Sequence, residues 1–97
     1  MRTRVFRSNR AAVEIREIAI YLAEHSQPAA QRFLEALERA QQQLSDFPNS
    51  GAPGLLPGTR RLIVGNYVVS YRRRGSDVEI FAVRHSRRRD APGPTIS

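Results

Sequence analysis

"RRLIVGNYVVSYRRRGSDVEIFAVRH", residues 60–85, decides what kind of fold this chain can form. From Arg60 onward the pattern has a period of two. Leu62 and Val64 fall on one side and Arg61 and Ile63 on the other. Tyr67, Val69 and Tyr71 likewise alternate with Val68, Ser70 and Arg72. Successive side chains of a strand point to opposite faces, so the stretch predicts extended structure. Gly65-Asn66 is a two-residue hairpin turn, "RGSD" (74–77) is the next turn, and residues 78–85 form the last strand. The result is a three-stranded meander with one apolar face to cover.

The cover lies upstream, where the period becomes helical. Residues 2–6, "RTRVF", read as a short first strand. Ser8 or Asn9 can then cap a helix by accepting hydrogen bonds from free backbone N–H groups. Ala11, Ile15, Ile18, Ala19 and Leu22 follow on one helical face. "HSQP" interrupts the pattern, and Ser26 or Gln27 begins a second helix, with Pro28 tolerated in its first turn. Ala30, Phe33, Leu34, Leu37 and Leu44 carry the apolar spacing on to Phe47 and Pro48. So short a break implies two antiparallel neighbours. "PNSGAPGLLPG" (48–58) reads as a loop crossing one end of the sheet. The expected order is β-α-α-β-β-β: an α+β domain of residues 1–90, with a helical hairpin packed on a small, mainly antiparallel twisted sheet. Residues 91–97 read as a loose tail.

Composition narrows the function classes. A chain of 97 residues is one domain with a modest core. It has no cysteine, so neither a disulfide framework nor a thiolate metal site can form. No signal-peptide pattern and no apolar run of membrane-spanning length is present, and a cytoplasmic protein is the expectation. The net charge of +7 is uneven: residues 1–59 hold seven arginines against six acids, and residues 60–97 hold nine against three. That field attracts nucleic acid or an acidic protein segment. All 16 basic residues are arginine. The clustering carries more information than the total, which a GC-rich genome would also produce. Glu14, Glu17, Glu35 and Glu38 lack metal-ligand spacing, and "GAPGLLPG" is no phosphate loop, so neither metal nor cofactor is expected.

Four stretches, "SNRAAVEIREIAIYLAEHS", "AAQRFLEALERAQQQLSDFP", "PGTRRLIVGNYVVSYR" and "VEIFAVRHSRRRD", carry a family resemblance by their order, spacing and total length. The chain resembles the ParE/RelE toxin superfamily of type II toxin–antitoxin systems, and its ParE branch more than its RelE branch. It departs from the ParE pattern at Asn9, where a proline is frequent, and after His85, where three residues rather than two precede Arg89-Asp90. The resemblance implies a RelE/ParE-like fold and an antitoxin partner that neutralises the toxin with an acidic, partly disordered segment in a hetero-oligomer. For the ParE branch it implies inhibition of DNA gyrase without chemistry by the toxin. For the RelE branch it implies cleavage of mRNA on the ribosome.

The residues can be set against both activities. RNA transesterification needs a base, an acid and cations for the phosphate. His85, with Arg60 and Arg72, is the set from which an endoribonuclease site can be drawn. Arg61 and Arg84 would add charge, and Tyr67 and Tyr71 could stack on bases. However, His85 has no second acid–base group beside it, and the lysine common in RelE-type sites is missing. A binding surface of Arg60, Arg61, Tyr71, Arg72, Arg84, His85, Arg87, Arg88 and Arg89 asks less of the sequence, with a protein as its partner. Tyr67 and Tyr71 can instead pack under the helices with Val69. Direct DNA reading lacks a recognition helix. An inactive homologue that only binds antitoxin is the third alternative.

Overall fold

The computed structural model describes residues 2–87. In chain order they form β1 (Val5–Arg7), α1 (Asn9–His25), α2 (Gln27–Asp46), β2 (Ala52–Pro53), β3 (Thr59–Val64), β4 (Tyr67–Arg74) and β5 (Asp77–His85). The expected order stands with one addition. β2 lies inside the stretch read as loop, because Ala52 and Pro53 pair with Arg61 and Arg60 at a sheet edge. An edge tolerates proline, which has no N–H to offer an outer neighbour. β1 starts at Val5 rather than Arg2. The expected tail, 91–97, lies outside the described residues.

Two serines set the helices. The Ser8 hydroxyl accepts from the Ala11 N–H at 3.0 Å, while the Ser8 N–H still donates to Ile80 O at 2.9 Å. The residue that ends the strand pairing therefore caps α1, and no loop intervenes. The Ser26 N–H closes α1 by donating to Leu22 O at 2.7 Å, and its hydroxyl opens α2 by accepting from Ala29 N–H at 3.3 Å. A single residue thus joins two antiparallel helices.

The strands lie in the order β1-β5-β4-β3-β2, with β1 parallel to β5 and the other pairs antiparallel. Both helices cover one face, α1 over β5 and α2 toward β3 and β1. Ala11 and Ile15, Phe33, Leu37 and Leu44, and Val64, Val69, Tyr71, Val78, Ile80 and Val83 form the core between the layers. Leu34 departs from the expected helical face. It is 40% exposed, because it sits about 100° round α2 from buried Phe33.

A bulge corrects the period along β5. Between the pairs Ser70–Ala82 and Tyr71–Ile80, β5 holds one residue more than β4, namely Phe81. The bulge lets Val78 and Ile80 share the covered face with Val83, which strict alternation would place opposite. Just beyond it the Val83 N–H donates to Glu14 Oε1 of α1 at 2.8 Å. Glu14, noted in the sequence only for lacking metal-ligand spacing, is therefore a structural clamp between layers. Glu14→Ala is expected to cost about 1–3 kcal/mol by leaving this part-buried N–H unpaired, with Glu14→Gln recovering much of the loss. Urea midpoints of the two variants check this, and equal midpoints for Ala and parent would refute the clamp.

Candidate functional site

Cross-strand pairing sorts the arginines by face. On the uncovered side, one row runs Phe6, Glu79, Arg72, Thr59; the next runs Ala82, Ser70, Arg61, Ala52; the third runs Arg84, Val68, Ile63. Arg61, Arg72 and Arg84 therefore share one face. Arg60 does not, since it pairs with core residue Tyr71 and leaves the sheet on the helix side. There its guanidinium Nη1 donates to Gly51 O at 2.8 Å.

Gly51 is held from both sides. Its N–H donates to the Tyr71 hydroxyl at 2.9 Å in a buried bond. A Cβ at Gly51 would meet Arg61 O at 2.5 Å and the Tyr71 hydroxyl at 2.8 Å, so only glycine fits. Tyr71 is 1% exposed, which corrects its place among the contact residues: the ring belongs to the core and its hydroxyl pins the loop after α2. No periodicity signals that tether, because its two ends are twenty residues apart.

Arg72 and Arg74 are partly committed to a neighbour. Glu79, only 9% exposed, accepts from Arg72 Nε at 3.0 Å and faces Arg74 Nε at 3.8 Å. The Arg72 guanidinium also lies 4.9 Å from the centre of the Phe81 ring. A buried carboxylate is tolerable only with such partners. Arg60, Arg72 and Arg73 do converge on a pocket of about 230 Å³ beneath the β2–β3 turn, with Pro53, Thr59 and Tyr71 in its wall.

His85 is elsewhere. It pairs with Tyr67 at the far end of β4, whereas Arg60 pairs with Tyr71, four residues along, or about 13 Å at the rise of a strand. Its ring meets Tyr67 edge-on at 5.3 Å, and Tyr67 in turn meets Phe33 at 4.9 Å. His85 Nδ1 accepts from the Arg87 N–H at 3.1 Å, which places the proton of the neutral ring on Nε2. Burial, with a smaller push from Tyr21, raises the Tyr67 phenol above its ordinary value. Arg87 is exposed beyond this end; Arg88 and Arg89 lie outside the described residues. Among the described residues no three His, Asp or Glu side chains gather closely enough for a metal ion, and no helix is long and apolar enough to cross a membrane.

At the opposite sheet edge an open groove of about 730 Å³ runs between β1 and α2, with Arg4, Arg7, Gln41 and Ser45 among its walls.

Comparison with known proteins gives three findings. A family model described as the ParE toxin of the type II toxin–antitoxin system parDE matches residues 5–90. A protein named "Putative toxin Y4kP", from Sinorhizobium fredii, is 33% identical over 87 residues, which are 88% of this chain and 90% of that one. A solved structure titled as the chromosomal ParDE TA system from P. aeruginosa superposes with a TM-score of 0.75 at 19% identity, over 86% of this chain and 95% of that one.

Proposed function

Since the chain belongs to the ParE toxin family of type II toxin–antitoxin systems, as the match over residues 5–90 establishes, we propose that it arrests growth by binding DNA gyrase and trapping its cleaved-DNA state. The observation that carries this is the separation of His85 from Arg60 and Arg72. Acid–base groups and phosphate-binding cations must meet on one scissile bond. Here Arg60 and Arg72 stand at one end of the strands and the histidine at the other, its Nδ1 already occupied. The uncovered face offers instead a mixed surface of Arg61, Arg84, Val68 and Ile63, which suits a protein partner. Arg87 extends the positive field.

The cognate antitoxin neutralises this activity by laying an acidic, partly disordered segment onto the toxin, and the β1–α2 groove with Arg4 and Arg7 is a concavity that suits it. In a supercoiling assay, micromolar protein is expected to inhibit gyrase, and His85→Ala is expected to keep inhibition within about twofold. Cutting of ribosome-bound mRNA without gyrase inhibition, abolished in His85→Ala, would replace this mechanism with the endoribonuclease. Unimpaired growth on induction without antitoxin would leave only antitoxin binding.

A further inference from the structure

We propose that the turn between β2 and β3, Gly54–Gly58, is the element that inserts into a concave apolar pocket of the folded target, with Leu55 and Leu56 as its anchors. The inference rests on the reading that the chain acts by binding a folded protein. Leu55 is 70% exposed and Leu56 62%, so two adjacent leucines of one turn are among the most exposed large apolar side chains of the described residues. The turn that carries them is closed. Gly54 N–H donates to Thr59 O at 2.8 Å, Thr59 N–H to Leu56 O at 3.2 Å, and the Thr59 hydroxyl to the same carbonyl at 2.6 Å. Gly58 takes φ of 79°, and a Cβ on Gly54 would run into the Thr59 hydroxyl. The leucines are thus displayed in a fixed shape before any partner arrives, which lowers the entropy lost on docking.

Preformed shape separates the possible occupants. Two exposed side chains held in a closed turn suit a partner that already has a hole, that is, a folded protein. A disordered antitoxin segment gains most by lying in a concavity, and the large groove is on β1, at the opposite edge of the sheet. A second copy of this chain is disfavoured by charge, because Arg60, Arg72 and Arg73 flank the turn and would face their own kind. The same arginines favour a hole with an acidic rim.

The test is the double variant Leu55→Ser/Leu56→Ser. It is expected to need at least tenfold more protein for gyrase inhibition, since burying each leucine accounts for roughly tenfold or more in affinity. Growth arrest on induction should weaken in parallel. Its unfolding temperature and its co-purification with the cognate antitoxin should match the parent. Leu55→Met/Leu56→Met should restore inhibition. Unchanged growth arrest, or loss of antitoxin co-purification instead of target inhibition, overturns the assignment. If the parent chain arrests growth without inhibiting gyrase, the gyrase mechanism fails. The turn is then judged on growth arrest alone, where a tenfold loss supports it and no loss overturns it.

Discussion

Tyr71→Ala is expected to unfold about 15 °C or more below the parent. Tyr71 heads the fully buried side chains of the described residues by volume and sits at the centre of the sheet, against Ile80. Truncating a buried aromatic to alanine costs about 3–5 kcal/mol, because the lost transfer energy is joined by the cavity left behind. In a domain of this size each kcal/mol lowers the melting temperature by roughly 4–8 °C. The loss has a second part, since the hydroxyl holds Gly51 in place and Arg60 holds the same residue from its carbonyl side. Tyr71→Phe separates the two. It keeps the ring and strands the buried Gly51 N–H, at an expected cost of about 1–3 kcal/mol. Circular dichroism melts of the three chains measure both. A melting temperature for Tyr71→Ala within about 5 °C of the parent would return Tyr71 to the contact surface.

Tyr71 also shows where the sequence was legible and where it was not. Period-two spacing placed it with Tyr67 and Val69 on one face, and the helices do cover that face. Spacing alone could not say whether it lay deep under the helices or at their rim, and its decisive partner, Gly51, sits in a loop whose path depends on the finished sheet. The helices were clear because their signals are local: Ser8 and Ser26 cap through bonds three residues long, and Ala11, Ile15, Phe33 and Leu37 follow helical spacing. β2 was hidden because Ala52 and Pro53 have no strand preference of their own and are strand only by pairing with Arg60 and Arg61. Nothing local marks Phe81 as the bulged residue, yet that one insertion decides which side of the sheet Val83, Arg84 and His85 occupy. The candidate site suffered most. The arginines were found as residue types, but their division between two faces and two ends is a matter of register, which is set by long-range pairing.

That division yields the second large effect. Reversing two charges on the uncovered face, Arg61→Glu with Arg84→Glu, is expected to weaken the proposed gyrase inhibition about a hundredfold. The two residues sit on neighbouring rows of one face, linked through Ser70 and Val68 of β4. A partner drawn to a positive field presents acidic groups to it, and each reversal turns attraction into repulsion. A penalty of about 1.4 kcal/mol per site is tenfold in affinity, and two sites give the hundredfold. Reversal should also slow association most at low salt, with the difference from the parent shrinking as ionic strength rises, because exposed charges are screened. Arg61 is exposed, so its replacement should leave the melting temperature nearly unchanged. Arg84 is half-buried, and the single variants show whether any lost inhibition there follows lost stability. The histidine end provides the control. Arg87 lies beyond β5 and outside the paired rows, so Arg87→Glu should cost less than either reversal on the face. Equal inhibition by the double variant and the parent, with both chains folded, would move the target contact off the uncovered face. The β2–β3 turn and its flanking arginines would then have to carry the contact without it.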